Sequence, residues 1–498
     1  MDTPVTNAHE IYLLLPEISM GILAATIIII DLISQKKNIL PIIATFGLIF
    51  PLYFSIQLSG TNEFAFSRSI IVDEFGLFFK YLIIVATAIV FMSSNKYATV
   101  FGKHQGEYYA LIILSATGMM LLSSAVELIT IYIALELTAL PMAALVAFIR
   151  IKKSAESGVK FLILSAFSSA FLLYGMVLIY GFAGTTYLLG DHSLSTIISQ
   201  NTENPDLVFG GGALLLAITL ITVGFAFKIS AVPFHMWAPD VYEGAPTPIT
   251  GYLSVASKAA GFAILLRILY TSFDTYEIIT DWSMLIAVMS ALSMTLGNLI
   301  AIQQTNIKRL LAYSTIAQAG YIMIGLSAVA NLPGGEDQSG PAGILFYLAG
   351  YLFTNLAAFS VIIVVSNNTK SEKLTAFNGL SKINPFLSAI MALSMISLIG
   401  IPPTVGFMSK IYIFSSAIDT GLEWLVFIGV INSVISAYYY LKILKAMYIE
   451  KPDNSEKIRL DTGATLSASL CVLGIIIFGV FPGPLINIAH NAVSSIIN

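Results

Sequence analysis

Apolar runs of about twenty residues recur along this 498-residue chain from one end to the other. A run of that length crosses a hydrocarbon core of about 30 Å as an α-helix, whereas the strands of a membrane barrel would alternate in polarity at every residue. Charged residues make up only 10% of the chain, against roughly 25% in soluble domains. The sequence therefore predicts an all-α protein that crosses the membrane many times.

The apolar runs predict about fourteen transmembrane helices, which we number as predicted helices 1 to 14. They are placed at 11–33, 39–58, 74–93, 107–125, 127–148, 158–183, 211–232, 247–270, 279–302, 308–330, 341–366, 385–418, 421–448 and 461–482. No stretch resembles a linker, so we expect a single membrane domain over 1–498. Predicted helix 12 is too long for one straight span and contains GIPPTVGF, so we expect it to be broken there.

The distribution of basic residues predicts which side of the membrane each loop faces. Lysine and arginine collect in loops after odd-numbered helices, such as Arg150 and Lys153, while acids collect after even-numbered helices. Because cytoplasmic loops carry an excess of Lys and Arg, both termini are expected on the non-cytoplasmic side. The loop after predicted helix 7 is an exception, since it holds Asp240 and Glu243 and no basic residue.

Several ionisable residues fall within the predicted spans, where a charge is costly. The main ones are Glu17, Asp31, Lys80, Glu136, Lys228, Lys258 and Lys410. Asp31 and Lys80 lie within about two turns of helix ends, so their side chains are expected to reach the membrane interface. Glu17 follows Pro16, and both a structural role, bonding to backbone groups, and a functional role stay open for it.

Glu136 and Lys258 lie too deep for that explanation. Glu136 is some nine residues into predicted helix 5, about 13 Å at 1.5 Å per residue, and Lys258 is about as deep in predicted helix 8. A short carboxylate cannot reach water unaided from that depth. Pro141 follows Glu136 by one turn and should distort the helix where the acid sits. We therefore favour functional roles for both residues.

Lys228 and Lys410 each adjoin a proline-interrupted helix. Lys228 precedes Pro233 in FKISAVPFHMW, and Lys410 follows two prolines in GIPPTVGFMSK. A broken helix exposes backbone groups that only protein or water can satisfy, which suggests a hydrated pocket beside each lysine. The alternative is that the prolines only kink packed helices and that the lysines bond to carbonyls.

The two broken helices are predicted helices 7 and 12, which are five spans apart. Five is odd, so two copies of one unit would lie in opposite orientations across the bilayer. We therefore expect two inverted five-helix repeats, at about 107–270 and 279–448, with predicted helices 1 to 3 at 11–93 before them and the last helix at 461–482 after them.

A buried lysine loses its charge easily and regains it when a carboxylate approaches, so linked groups of this kind can pass protons. Glu136, Lys228, Lys258 and Lys410 would form such a row, parallel to the membrane plane. His235 is expected to be an ordinary loop-end histidine, because partners at metal-ligand spacing are missing. Asp240 and Glu243, near His235, could form a proton entrance. Alternatively, the two acids could cap the start of predicted helix 8.

Three stretches of the sequence carry a resemblance to a known family. They are KISAVPFHMWAPDVYEGAPTPITGYLSVASKAAG, NIKRLLAYSTIAQAGY and GIPPTVGFMSK. They closely resemble the antiporter-like membrane subunits of proton-pumping NADH–quinone oxidoreductase, respiratory complex I, and the resemblance covers nearly the whole chain. Within the family it is strongest to the branch with lysine on both helix 8 and helix 12, to which a photosynthetic counterpart is similar.

The resemblance implies a fourteen-helix fold with a central hydrophilic axis, onto which Glu136, Lys228, Lys258 and Lys410 map. It also implies that NADH, FMN, iron–sulfur clusters and quinone are bound by partner subunits of a membrane arm, with no cofactor, metal or nucleic acid on this chain. The single cysteine, Cys471, agrees with that division. The expected location is a bacterial inner membrane, with a thylakoid membrane as the alternative.

Other functions stay open at this point. A cation/proton antiporter subunit of the related multisubunit type would carry the same fold. The same pump module can also serve a ferredoxin- or hydrogenase-linked complex, because the electron donor is chosen by other subunits. A third hypothesis is a passive membrane scaffold, in which neutralising the buried charges would leave coupling intact.

Overall fold

A computed structural model describes residues 7–34, 37–202, 211–273, 276–329, 338–452, 458 and 461–497. Most of its buried apolar residues form one large core, and a second, small cluster contains Leu13, Leu58, Ala65, Val72 and Leu77. The α-helices are α1 Asn7–Leu13, α2 Leu15–Ile33, α3 Leu40–Gly47, α4 Ile49–Gln57, α5 Glu74–Ser94, α6 Gln105–Ser124, α7 Leu128–Val146, α8 Lys152–Ala183, α9 Leu194–Thr202, α10 Gly211–Ile229, α11 Trp237–Gly244, α12 Thr247–Tyr252, α13 Lys258–Ser272, α14 Tyr276–Ala301, α15 Ile307–Ser327, α16 Ser339–Thr369, α17 Leu380–Ile383, α18 Pro385–Ile399, α19 Val405–Asp419, α20 Glu423–Tyr448, α21 Thr462–Val480 and α22 Gly483–Ile497.

Within the described ranges, 13 helical stretches are long and apolar enough to cross a membrane. They match all of the predicted helices except the twelfth, which is split into α18 and α19. The prediction of an all-α, multi-pass membrane protein with about fourteen crossings is confirmed. Residue 330, at the end of predicted helix 10, lies outside the described residues.

Polar side chains set where several membrane helices begin. The Asp73 carboxylate accepts a hydrogen bond from the Gly76 amide at the start of α5, and the Glu127 carboxylate accepts one from the Thr130 amide at the start of α7. The Asn306 side chain caps α15 in the same way. The first amides of a helix have no partner within it, so a side-chain acceptor at this position stabilises the helix and fixes its start.

The two predicted helix breaks are present. α10 ends at Ile229, and α11 begins only at Trp237, after Ser230 with φ +60° and a cis Val232–Pro233 peptide. α18 ends before Gly400, which has φ +90°, and a cis Pro402–Pro403 peptide leads into α19. The breaks therefore lie at the prolines on which the prediction depended, while the inverted relation of the two repeats stays a prediction.

α12 and α13 form one bent span joined by a π-helical turn, Leu253–Ser257. In such a turn each backbone ring closes one residue later than in an α-helix. Every residue of the turn is buried. Lys258, the residue directly after the turn, opens α13.

Several elements were not predicted from the apolar pattern, among them a short hairpin and the helix α22. β1 Glu63–Ala65 and β2 Ile70–Val72 form a short antiparallel hairpin before α5. α22 packs against α5, α13 and α16, and the Phe75 amide donates a hydrogen bond to the Ser495 hydroxyl at 3.1 Å. The end of the chain thus covers the start of the third predicted membrane helix.

Lys80 was expected to reach the membrane interface, but it does not. Its ammonium lies 2.8 Å from the Glu17 carboxylate, and both side chains are at most 3% exposed. Asp31 is also buried, and it pairs with Lys37 at 2.8 Å. The expectation of snorkelling was wrong because an acid on a neighbouring helix, which the sequence does not locate, offers Lys80 a closer partner than water.

A second buried ion pair joins residues far apart in the chain. Arg267 is fully buried in α13, and its guanidinium donates to both oxygens of the Asp73 carboxylate, at 2.8 and 2.9 Å. It also donates to the Ser123 carbonyl. The two-pronged geometry is the strong form of a charge-assisted hydrogen bond.

Candidate functional site

Glu136 lies on α7 and faces α8. Its carboxylate accepts a 2.5 Å hydrogen bond from the Ser169 hydroxyl. The side chain is only half-buried, although it lies deep in the apolar span. This position gives the acid a polar partner on one side and an outer face of the bundle on the other.

Lys228, near the end of α10, is only 6% exposed. Its ammonium donates to the Thr138 hydroxyl on α7, two residues beyond Glu136. Although both residues are described, Glu136 and Lys228 form no ion pair within 4.0 Å. A small cavity beside Lys228 is lined by Ser169, the partner of Glu136, and by Ser257.

The Lys228 side chain packs against the helix that bears Lys258. A Cβ atom added to Gly261 would lie 3.2 Å from the Lys228 Cγ, so only glycine allows this approach without displacement. Ser257, which lines the cavity beside Lys228, directly precedes Lys258. The first lysine of the predicted row, Lys228, thus packs beside the helix of the second, Lys258.

Lys258 is 2% exposed, and its ammonium donates to the Thr315 carbonyl on α15 at 2.9 Å. The Thr315 hydroxyl in turn accepts a 3.1 Å hydrogen bond from the Tyr351 hydroxyl on α16. A carbonyl accepts a hydrogen bond from a charged or a neutral amine, so this contact tolerates either state of the lysine.

α15 carries the polar contacts onward to the second helix break. Gln318, one turn after Thr315, donates to the Leu398 carbonyl at 3.3 Å and accepts from the Tyr347 hydroxyl. It also donates to the Tyr440 hydroxyl at 3.3 Å. These groups are buried in apolar surroundings, where hydrogen bonds are stronger and unpaired groups more costly.

Lys410 completes the row at the break between α18 and α19. Its ammonium donates to the Ile399 carbonyl at 2.8 Å, to the Leu398 carbonyl at 3.3 Å and to the Ser433 hydroxyl at 2.7 Å. It also lies 4.5 Å from the centre of the Tyr321 ring. The last carbonyls of a helix carry partial negative charge, so the end of α18 is a suitable acceptor for the ammonium of this lysine.

The structure therefore brings the four predicted residues into one series. Each of them has polar partners in the core, on helices from α7 to α20. The stretch NIKRLLAYSTIAQAGY, which forms part of α15, carried the family resemblance. The sequence analysis assigned no role to its polar residues, however, and so missed Thr315 and Gln318. Their spacing of three residues, which places both on one face of a helix, was the signal present.

His235 lies in the break between α10 and α11, half-buried. Burial and, to a smaller extent, the positive charge of Lys258 lower the pKa of the imidazole below its ordinary value. In the described residues no group of three or more His, Cys, Asp or Glu side chains could hold a metal ion. A neutral imidazole close to the axis can exchange a proton with water.

Asp240 and Glu243 on α11 belong to a cluster of ion pairs. Asp240 pairs with Arg309 at 2.7 Å and with Lys160 at 3.0 Å, while Glu243 pairs with Arg309 at 3.1 Å and with Lys153 at 2.7 Å. Partial burial alone would raise their pKa values, but hydrogen bonds from these cations lower the pKa of both acids below the ordinary range.

This cluster accounts for the unusual loop. The basic residues missing from the loop after predicted helix 7 come from neighbouring elements, α8 and α15. Lys308, next to Arg309, is buried and pairs with Glu372 at 2.8 Å. The capping role considered for Asp240 and Glu243 is not seen, because Pro246 precedes α12 without a side-chain cap.

An all-helical membrane protein with two broken helices and a row of buried lysines is an antiporter-like membrane subunit. Residues 125–436 match the family described as NADH:quinone oxidoreductase/Mrp antiporter, transmembrane. The chain belongs to this family, and its relatives place it in the subunit N branch.

Three similar proteins illustrate the relationship. The NADH-quinone oxidoreductase subunit N of Dehalococcoides mccartyi is 40% identical over 489 residues, which is 98% of this chain and 100% of the relative. A chain of respiratory complex I from Thermus thermophilus is 28% identical, with a TM-score of 0.78, over 95% of this chain and 98% of its own. A chain of an archaeal membrane-bound sulfane sulfur reductase is 25% identical, with a TM-score of 0.87, over 98% of both.

Proposed function

We propose that this chain translocates protons as a membrane-arm subunit of a respiratory NADH–quinone oxidoreductase, through Glu136, Lys228, Lys258 and Lys410. Electron transfer to quinone in other subunits supplies the energy. The observation that carries the proposal is the row of polar contacts in which these four residues lie, from Ser169 beside Glu136 to the second helix break at Lys410. Its members are the ionisable groups that a proton needs in order to cross an apolar core.

The position of Glu136 supports a role at the driven end of the series. It lies near the surface of the bundle, whereas the three lysines are at most 6% exposed. A charge change in a neighbouring subunit can therefore act on Glu136 first. The gap between Glu136 and Lys228 allows their attraction to change, since no direct ion pair locks them together.

Proton access from the cytoplasm is proposed at the α10–α11 break. The positive charge of Lys258 acts on His235, and Asp240 and Glu243 lie on the following helix, α11. The two acids are paired with Arg309 and two lysines, so they are not free bases. We assign them an access role rather than a step in the relay.

The proposal places the redox chemistry on partner subunits. NADH, FMN, iron–sulfur clusters and quinone are assigned to them, and this chain contributes protonatable side chains only. We further propose that the complex lies in a bacterial inner membrane, with both termini on the non-cytoplasmic side. The basic residues of the Asp240–Glu243 cluster support that orientation, because they place α11 on the lysine-rich side.

Substitution of the axis residues in the intact complex tests this function. Lys228→Ala and Glu136→Ala should leave an assembled complex that oxidises NADH with impaired proton pumping into closed vesicles. Lys382→Ala, a lysine on the short helix α17 outside the axis, is the matched control. An assembled Lys228→Ala or Glu136→Ala complex that pumps like the unaltered complex would overturn the proposal.

A second candidate function has a specific observation in its favour. The matched family includes Mrp antiporter subunits, and the fold agrees better with the archaeal reductase chain than with the complex I chain. A cation/proton antiporter, or the same pump in a complex with another electron donor, would therefore use the same axis. Sodium-dependent transport without an electron donor in vesicles would favour the antiporter.

A further inference from the structure

Four polar residues recur at intervals of seven along α5: Asp73, which caps its start, and Lys80, Thr87 and Ser94 within it. Seven residues are nearly two full helical turns, so they form one straight stripe along the helix. Each is fully buried. α5 lies outside residues 125–436, and the proton-transfer series does not use it. The stripe therefore needs its own explanation.

Each residue of the stripe has a partner on another helix. Lys80 pairs with Glu17 on α2, and Ser94 shares a hydrogen bond with Tyr108 on α6. The other two bind the span that carries Lys258. Asp73 pairs with Arg267 on α13, and Thr87 shares a 3.0 Å hydrogen bond with Tyr252 on α12. We call the Asp73–Arg267 and Thr87–Tyr252 contacts the α5 clamp.

The two contacts of the clamp lie on opposite sides of Lys258. Tyr252 precedes Lys258 by six residues, and Arg267 follows it by nine. The start of α5 meets the end of α13, and the later part of α5 meets α12, so the two spans are antiparallel. The clamp thus fixes both ends of the segment in which Lys258 lies.

The lengths of the two clamped segments differ by one residue. Positions 73 and 87 are 14 apart on α5, whereas positions 252 and 267 are 15 apart on the opposing span. In two straight α-helices that difference would offset one contact by about 1.5 Å. The π-helical turn at Leu253–Ser257 takes up one additional residue within the clamped segment.

The turn is also supported from the opposite side. The Asn355 side chain on α16 donates to the Ser254 hydroxyl at 2.5 Å, and the Ser254 hydroxyl donates to the Gly251 carbonyl. Lys258 follows the turn directly and reaches the Thr315 carbonyl. Relaxation of the turn to regular α-helix would rotate Lys258 relative to α12 by about 100°, the angle per residue.

We propose that α5 positions Lys258: the clamp holds both ends of its helix and maintains the π-helical turn that directs the lysine at α15. Asp73, Thr87, Tyr252 and Arg267 are positioning residues in this scheme, since none of them touches the proton-transfer series. The inference rests on the proposed role of Lys258 and adds a role for helices outside the matched region.

Tyr252→Phe tests the clamp with the smallest change. The Thr87 hydroxyl donates to the Ile83 carbonyl, so it can only accept from Tyr252, and removal of that donor leaves no unsatisfied donor behind. In the intact complex we expect normal assembly and normal NADH oxidation with a soluble electron acceptor. Proton pumping should fall about fivefold, because one ordinary hydrogen bond contributes about 1 kcal/mol. Tyr81→Phe is the control, because Tyr81 bonds from α5 to Ser55 at 3.0 Å instead.

Thr87 provides an independent pair of variants. Thr87→Val removes the acceptor and should reduce pumping as Tyr252→Phe does, whereas Thr87→Ser keeps a hydroxyl and should restore it. The double variant Thr87→Val with Tyr252→Phe should be no worse than either single one, because both remove one contact. Backbone hydrogen exchange at 253–258 should rise in the impaired variants and stay unchanged in Tyr81→Phe.

The outcomes separate this inference from the proposed function. If Lys258→Ala pumps normally, the function assigned to Lys258 fails, and the clamp loses its purpose. If Lys258→Ala is impaired but Tyr252→Phe and Thr87→Val pump like the unaltered complex, only the clamp is overturned. Equal losses in Tyr81→Phe and Tyr252→Phe would also overturn it, since they would indicate a general need for packing around α5.

Discussion

Gln318 and Lys410 donate hydrogen bonds to the same acceptor, the carbonyl of Leu398, each at 3.3 Å. This carbonyl belongs to the last turn of α18, where the broken helix leaves it without an α-helical partner. One backbone oxygen thus connects α15, which receives Lys258, with the lysine at the second break. The break is part of the site as well as a feature of the fold.

Gln318→Leu should interrupt this connection. It keeps an apolar side chain of similar size but leaves the Tyr347 hydroxyl without its acceptor. Loss of a buried partner costs about 1–3 kcal/mol, so we expect proton pumping to fall by roughly fivefold to more than a hundredfold. The measurement is vesicle acidification per NADH oxidised. Gln304→Leu, which removes an amide bonded to the Ile300 carbonyl outside the axis, should have little effect.

Gly400→Ala should impair pumping through a steric effect on Lys410. Gly400 has φ +90°, and an added Cβ atom would lie 3.0 Å from the Lys410 Cδ. Gly421→Ala is a matched control, because its φ is +79° and the added atom meets nothing within 4 Å. Both variants should lose stability by about 1–2 kcal/mol from backbone strain. Only Gly400→Ala should also lower the proton-to-electron ratio, and equal pumping in the two would contradict this account.

The buried Glu17–Lys80 pair predicts a non-additive effect on stability. Glu17→Met or Lys80→Met alone should destabilise the protein by about 3–5 kcal/mol, because each leaves one charge buried without compensation. The double variant should recover most of that loss. Thermal unfolding of the purified complex measures both. Lys37→Met breaks the more exposed pair with Asp31 and should cost much less, so a similar cost there would argue against the explanation.

The ion pairs of Asp240 and Glu243 predict a specific pH dependence. Their pKa values lie below the ordinary 3.8 and 4.5, so the stabilisation is fully present above those values and is lost as the pH falls below them. Arg309→Gln should lower stability by only about 1 kcal/mol, because the pairs are partly exposed.

The difference in melting temperature between the unaltered complex and Arg309→Gln should therefore stay constant from about pH 7 to pH 5 and shrink below about pH 4. Lys152→Gln serves as the control, since Lys152 joins none of the ion pairs among the described residues. A difference that already disappears between pH 7 and pH 6 would show that another group controls the cluster.

Most of the fold could be predicted from the hydrophobic pattern and the positions of the prolines. Apolar runs of the right length located the membrane helices, and Pro233 and Pro403 located the breaks, since a missing backbone donor acts locally in any helix. α22 was not foreseen, because its apolar residues occupy one face of a short helix and resemble neither a full span nor a linker.

The site was predictable only in its ionisable members. Glu136 and the three lysines stand out because charge is rare in apolar spans, but neutral residues such as Gln318 and Thr315 do not. Whether a lysine meets an acid, a hydroxyl or a carbonyl depends on helix packing, which is why the partner of Lys80 was missed. The distances between helices depend on contacts between residues that are far apart in the chain. A single sequence does not show which of these residues meet.

The hydrogen bond between the Phe75 amide and the Ser495 hydroxyl has a consequence for biosynthesis. Residues 75 and 495 are separated by nearly the entire chain, so a ribosome has translated almost all of the protein before this bond can form. Insertion of the early helices and closure of the bundle by α22 are therefore separate events in time. A nascent chain halted before Gly483 would reside in the bilayer with one flank of α5 still uncovered, open to chaperones, proteases or premature assembly.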